Sequence, residues 1–467
     1  MKHLLLAGML IGAGPAMAGG LFQFPHQDLT RPLAPITDLN FGTLLAPAPG
    51  DPESGAYLPF ELIIAALTDQ DPVKGLLAAG HYTQAVAEAE RRLARAERFE
   101  AFHHTIEERR LALGVARYLD GQFGPATTAL ETALVRLTPD APFAARLTGA
   151  RAALGLAQQA LGRLEEADRN LTRAQHLTHR QHGAENLRQL PLLIARARGQ
   201  EALDETWAAG QLYRTHLKLV SAHEPADSPR LLAAVQLLAD FLVANGQFRD
   251  ATSLFNQVRK AQNELGEPNL AAVAATKMSQ AQVFLLQGSL EVDRGLRLAS
   301  EAAQLVREHS DRFSLDEQMH VLLTAGDWLT LFGRRGDAAR NYLDAWQRAK
   351  DAGAEHHLRD LASPAMIFSG PDLLPSTMGY HWVDRHAYAT FDLDIRPDGR
   401  PARVRLKETN LHATNIRDAE SLLRLARFRP AIVDGEIRRF RSLRYSRVYD
   451  TTPPEGFGEV RIGALNP

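Results

Sequence analysis

A mainly α chain is predicted, a solenoid of antiparallel helical hairpins followed by a small α+β domain of order β-β-α-β. Three observations carry that prediction. A glycine-centred turn recurs about every 42 residues between Gly80 and Gly333. The composition is 45% hydrophobic but only 7% aromatic, with Ala, Leu, Arg and Glu abundant, which suits helices better than a sandwich or barrel. After Tyr380 the apolar period changes from helical to alternating, so a second domain begins there. At 467 residues the chain exceeds what one compact core serves, and a repeat array resolves this because each repeat packs only on its neighbours.

Residues 1–18 follow the grammar of a secretory signal peptide. Lys2 and His3 precede an apolar run from Leu4 to about Ala13, and Ala16-Met17-Ala18 places small residues ahead of a cut between Ala18 and Gly19. That run, ~10 to 14 residues, is short of the ~20 that span a bilayer, so membrane association is expected to be at most peripheral. The chain has no Cys, which excludes disulfides, thiolate zinc sites and a lipid-modified cysteine after the signal. The expected location is the periplasm of a Gram-negative bacterium, and export removes nucleic acid as a partner.

Residues 19–59 carry Pro25, Pro32, Pro35, Pro47, Pro49, Pro52 and Pro59 without sustained periodicity and are expected to form an extended arm. Leu21, Phe22, Phe24, Leu33, Ile36 and Phe41 would let it pack along the solenoid.

Residues 60–360 form the expected solenoid. Its turns are Gly80-His81-Tyr82, Gly121-Gln122-Phe123, Gly162-Arg163-Leu164, Gly246-Gln247-Phe248 and Gly333, each followed by Ala85, Ala126, Ala167, Ala251 or Ala338. The first four glycines are spaced 41, 41 and 84 apart, so one degenerate repeat belongs near residue 204, within Ala202–Trp207, and a weak turn at Gly288. Eight residues before the turn stand Leu113-Gly114, Leu154-Gly155, Leu238-Ala239 and, more weakly, Ala325-Gly326. After it, Ala126, Leu130 and Ala133, then Ala167, Leu171 and Ala174, then Ala338, Tyr342 and Ala345 share one helix face.

These residues together resemble the tetratricopeptide repeat, with small residues where helices cross, a Gly ending the first helix and an aromatic filling the gap. The 42-residue period is similar to the longer kinesin-light-chain type. The first copy has Pro72 where the others have Leu-Gly, as a cap would. The resemblance implies a surface for a protein or peptide partner.

Residues 361–384, with Pro364, Pro371 and Pro375, read as a linker, 385–450 as the second domain and 451–467 as a tail. Phe391, Leu393 and Ile395 alternate with Asp392 and Asp394, and Ala402, Val404 and Leu406 alternate with Arg403, Arg405 and Lys407. With Asp398-Gly399 as a two-residue hairpin loop, Ile395 faces Ala402, Leu393 faces Val404 and Phe391 faces Leu406, while Asp394 meets Arg403 and Asp392 meets Arg405. A helix through Ile416, Ala419, Leu422, Leu423 and Ala426, capped at Thr414 or Asn415, ends at Arg427-Phe428-Arg429-Pro430, and a third strand runs from about Ile437 to Tyr449.

This order, with Arg427, Phe428, Arg429, Pro430 and then Gly435, resembles the C-terminal domain of TonB-type energy transducers. The resemblance implies that fold and a contact with an outer-membrane or other envelope component. The chain lacks the transducers' inner-membrane anchor and carries a solenoid in place of their Pro-rich spacer, so energy coupling is the alternative reading, not the leading one. Residues 385–450 hold 15 Arg and Lys against 9 Asp and Glu in a chain of net charge −2, so a basic tail domain follows an acidic body. Its face could meet an anionic surface, an acidic protein or the solenoid itself.

Chemistry is sparse. No phosphate-binding loop, nucleophile elbow or His-Glu-x-x-His helix is present, and no enzyme activity or cofactor is expected, an envelope enzyme being the remote alternative. His176, His179 and His182, stepping by three, fan across ~120° of a helix, so metal is not expected there, and His103-His104 and His356-His357 point apart. Asp392, Asp394 and Asp398 are expected to serve the hairpin and its turn. Trp207, Trp328 and Trp346 are expected to pack between helices.

Overall fold

The computed structural model describes residues 59–99, 103–137, 144–287, 291–368, 386–410 and 413–450. The expected signal peptide with its Ala18/Gly19 cut, the arm before Pro59, the turn at Gly288, most of the expected linker and the tail lie outside these residues. The chain divides into two units at Ala272 and Val273.

The described part of the first unit is helical. It contains α1 (Pro59–Ile64), α2 (Pro72–Ala78), α3 (Tyr82–Phe99), α4 (His103–Leu119), α5 (Phe123–Arg136), α6 (Ala144–Ala160), α7 (Leu164–His182), α8 (Leu190–Ala202), α9 (Thr206–His223), α10 (Pro229–Ala244) and α11 (Phe248–Asn263). Consecutive helices pair as hairpins from α2/α3 to α10/α11. One turn geometry closes them. At the α4/α5 turn Gly121 has φ 79°, its N–H donates to the Tyr118 carbonyl at 3.1 Å, and the Gln122 N–H donates to the Arg117 carbonyl at 2.8 Å. These two bonds satisfy carbonyls that a helix C-terminus leaves free, and the left-handed residue between them favours glycine.

The same pair of bonds recurs at Gly80, Gly162 and Gly246, all with positive φ. The degenerate repeat turns at Asp204, which adopts φ 62° and makes the equivalent bonds to Glu201 and Gln200 without a glycine. Behind the turns the helices cross closely. A Cβ on Gly114 would lie 2.6 Å from Leu130 Cγ, and one on Gly155 2.7 Å from Leu171 Cγ, so only hydrogen fits. Ala126, Leu130, Ala133, Ala167, Leu171 and Ala174 are fully buried at these crossings.

Successive first helices α2, α4, α6 and α8 also touch one another, forming a continuous layer. Pro72 begins α2 behind the N-cap Asp71, whose carboxylate accepts from the Val73 N–H. Helix α1 folds back onto α6, where the bare backbone of Gly149 admits the Leu62 and Ile63 carbonyls, and Arg146 donates to the Ala66 carbonyl at 3.1 Å.

The second unit continues the pattern through α12 (Leu270–Gln287, whose first turn belongs to the first unit), α13 (Val292–Glu308), α14 (Leu315–Leu331), α15 (Arg335–Asp351) and α16 (Glu355–Leu361). Helix α14 opens with a capping box between Ser314 and Glu317, and Gly333, at φ 81°, closes α14/α15. Gly326 faces Tyr342 so closely that a Cβ would sit 2.5 Å from its ring. Gly353 repeats the turn, but among the described residues no helix pairs with α16 as the second of a hairpin. The segment expected to be a plain linker contains the end of α16 and then strand β1 (Ala365–Phe368).

Beyond it stand β2 (His386–Ile395), β3 (Pro401–Thr409), α17 (Ala413–Leu425), β4 (Arg427–Arg429), β5 (Ala431–Val433), β6 (Glu436–Arg438) and β7 (Phe440–Asp450). A three-stranded antiparallel sheet has order β3-β2-β7, and two small antiparallel pairs join β1 to β4 and β5 to β6. Helix α17 covers one face of the larger sheet through Ala419, Leu423 and Ala426 against Ala389, Phe391, Leu393, Ile395 and Phe428.

Four local expectations change. Phe391 faces Leu406 and Asp392 faces Arg405, but the register then shifts, pairing Asp394 with Ala402 and Ile395 with Pro401. Arg403, at φ 48°, takes the bulge, and the loop spans Arg396 to Arg400 instead of two residues. The helix begins at Ala413, ahead of the expected cap. It ends at Leu425, and Arg427–Arg429 leaves it as β4 because β1 offers an edge to pair with. The expected third strand is divided into β6 and β7.

Candidate functional site

The C-terminal strands are docked on the last repeat, β1 and β4 on α14 and β5 and β6 on α15. Asp327 of α14 is the centre of that contact. Arg429 of β4 donates from Nε to its Oδ1 at 2.9 Å and from Nη2 to its Oδ2 at 2.5 Å, a bidentate pair. The Tyr342 hydroxyl of α15 donates to Asp327 Oδ1 at 2.9 Å and lies 2.8 Å from Thr330 Oγ1. Burial, and then the Asp327 charge, push the Tyr342 hydroxyl well above its usual range. Burial disfavours the charge on Arg429, but Asp327 outweighs it and holds the guanidinium protonated more firmly than usual.

Two glycines let the backbones approach. Gly399 meets Thr330 Cγ2 and the Phe428 carbonyl, and its own carbonyl accepts from the Phe428 N–H at 2.9 Å. Gly435 lies under the Trp346 ring, 3.0 Å from where its Cβ would be. Arg335 pairs with Asp398 at 3.3 Å. Phe428 and Pro430 are buried, and Arg427 donates back to the Leu425 and Ala426 carbonyls at 2.8 Å, closing the end of α17. The Arg427–Gly435 stretch therefore works at an intramolecular contact. Sequence reading missed Asp327; the available signal was a lone carboxylate in the apolar run Ala325-Gly326-Asp327-Trp328-Leu329.

The other face of the sheet is wet and basic. Asp392 pairs with Lys407 and Arg444, each at 3.3 Å, in place of the expected Arg405. Asp394 pairs with Arg439 at 2.7 Å and accepts from the Ser442 N–H at 3.2 Å, with the expected Arg403 only at 4.0 Å. Desolvation works against both carboxylates, but these donors outweigh it and hold them below the usual range. The two aspartates thus serve the sheet, and Asp398 its turn. Arg405 and Arg441 are exposed and have no ion-pair partner among the described residues.

His179 Nε2 lies 2.6 Å from Gln189 Oε1, and burial, then Arg188, lower the His182 pKa, while His176 contributes only a ring contact to His179. His356 and His357 depart from expectation: their rings are 4.0 Å apart and converge with Asp316. Trp328 is buried, but Trp207 is 77% exposed. It stands in the first turn of α9, about 200° around the helix from the buried Ala209. Among the described residues, no helix is long and apolar enough to cross a membrane.

No protein-family model matches the chain, and no curated protein matches it. Solved structures similar to it include a putative kinesin light chain from Podosopora anserina with nearly identical TPR-like repeats, at 19% identity over 45% of this chain and 99% of that one, TM-score 0.35. BtubC from P. vanneervenii is similar at 16% identity over 52% of this chain and 94% of that one, TM-score 0.35. The C-terminal part of a TPR repeat-containing protein from Cytophaga hutchinsonii is similar at 11% identity over 59% of this chain and 93% of that one, TM-score 0.41.

Proposed function

We propose that this chain is a non-enzymatic periplasmic interaction protein, in which the repeat array holds a protein or peptide and the C-terminal module makes a second contact with the cell envelope. The observation that carries the reading is the division of labour at the module. Arg429 and its neighbours are consumed by the last repeat, while Arg403, Arg405, Lys407, Arg441 and Arg444 remain exposed on the opposite sheet face. That face suits an anionic partner surface. The layer of first helices and the exposed Trp207 provide the array's own contact surface.

The likeness to the TonB C-terminal domain supports an outer-membrane or other envelope component as the second partner, through the order β2, β3, α17, β7. In this chain the contact would be made by the sheet, because the helix end is occupied.

The test is site-specific photocrosslinking in intact cells from Trp207 and Arg405 of the full chain. Each position is expected to capture an envelope protein, and Arg403→Glu with Arg441→Glu should abolish the capture from position 405 alone. Capture at neither position would sink the proposal. N-terminal sequencing should find Gly19 first; a membrane-retained leader would favour the energy-transducer alternative.

A further inference from the structure

We propose that Asp316, His356 and His357 form a transition-metal site that ties α16 to α14. Asp316 lies in the first turn of α14 and both histidines lie in the first turn of α16. Asp316 and His357 are 41 residues apart, one repeat period, so they hold equivalent places at the starts of successive first helices. Adjacent residues on a helix point ~100° apart and seldom serve one ligand. Here the two rings are nonetheless 4.0 Å apart at a 38° tilt, and one ligand atom from each of the three residues lies within 4.8 Å of the others.

His357 Nε2 is already 2.9 Å from Asp316 Oδ1. A tetrahedral ion with bonds of ~2.0 to 2.1 Å asks for ligand atoms about 3.4 Å apart, so the group needs a modest adjustment, the Asp316–His357 pair opening and the wider separations, all within 4.8 Å, closing. Asp316 can supply it, since its side chain is 85% exposed. Neighbouring Glu317 cannot substitute, because its Oε2 is held by the Ser314 N–H at 2.7 Å in the capping box.

Two imidazoles and one carboxylate select Zn²⁺, Ni²⁺ or Cu²⁺ over Ca²⁺ and Mg²⁺, and water completes the coordination. Binding would pin α16 against α14. Shortly after α16 comes β1, which pairs with β4, the strand carrying Arg429 to Asp327. The metal would therefore steady the docked module from its hinge side.

The experiment is calorimetric titration of the metal-stripped full chain, free of any polyhistidine tag, with Zn²⁺ and separately with Ca²⁺. One saturable Zn²⁺ site per chain and no Ca²⁺ site are expected. His356→Gln and His357→Gln should each weaken it at least about tenfold, the scale on which even outer partners of metal ligands act, and His179→Gln should leave it unchanged. Zn²⁺ should also raise the thermal midpoint of the parent chain but not that of the doubly substituted chain, whose metal-free midpoint serves as the folding control. No saturable site, or Zn²⁺ binding of unchanged affinity in the double variant, would overturn the proposal and leave a surface His–Asp hydrogen bond.

Discussion

The Asp327 carboxylate accepts three hydrogen bonds from two side chains, Arg429 and Tyr342, and removing any of the three residues leaves a polar group unsatisfied in a poorly hydrated contact. Breaking a buried ion pair by deleting one partner typically destabilises by ~3 to 5 kcal/mol. Arg429 and Asp327 retain 20% and 17% side-chain exposure, so Arg429→Ala is expected to cost less, about 2 to 3 kcal/mol, in urea unfolding of the second unit. A double-mutant cycle with Asp327→Ala should show clear coupling. His216 on α9 sets a pH dependence elsewhere. Burial lowers its pKa from 6.5 to about 4, and its Nδ1 has no hydrogen-bond partner among the described residues. Above pH 6.5 folded and unfolded forms are both neutral there. Between 6.5 and 4 the unfolded chain takes up the proton first, so stability falls with pH, by on the order of 3 kcal/mol once both forms are protonated. Burial raises the Asp240 pKa to about 6, which works the other way over the same window, so the His216 contribution is read as a difference: between pH 7 and pH 4.5 the urea midpoint of the parent should fall relative to that of His216→Leu.

At the scale of the element, the hairpin turn is a backbone device, and its residue preference follows from φ. Asp204 does with a β-carbon what Gly121 does without one, so opposite substitutions should have opposite signs. Asp204→Gly is expected to stabilise the first unit by roughly 0.5 to 1 kcal/mol and Gly121→Ala to destabilise it by ~1 to 2 kcal/mol, checked by chemical unfolding. The crossing glycines act through space instead. Gly326→Ala drives a methyl into the Tyr342 ring and should cost about 1 to 3 kcal/mol, because Tyr342 is also held by Asp327 and cannot swing aside. The turn glycines and crossing faces were legible because spacing alone reports them. The hairpin bulge at Arg403 was not, since alternation of apolar residues survives a one-residue shift beyond Asp392. Nor was β4, because a short stretch after a helix becomes a strand only if another edge, here β1, is near.

At the scale of the whole molecule, an array of hairpins needs something to close its last apolar flank. Among the described residues α16 has no partner helix, and strands of the β-module pack on α14, α15 and α16. A chain ended after Leu361 would bare Trp346 and strand Asp327, and is expected to melt earlier and to self-associate, measured by thermal unfolding and sedimentation. The histidines were misread for a related reason. His356 and His357 diverge on an ideal helix, and only the neighbouring repeat, one period away, brings Asp316 to them.

The helical class, the repeat period, the place of each described turn and the strand–strand–helix–strand order of the tail follow from the sequence alone, because they depend on periodicities and on local φ preferences that residues carry with them. What the basic tail does with its arginines depended on the tertiary structure. Arg429 and Arg405 are the same residue type, on strands β4 and β3. One is half-buried against a carboxylate 102 positions away and the other left to solvent, a difference set by which surfaces pack together and not by any nearby residue.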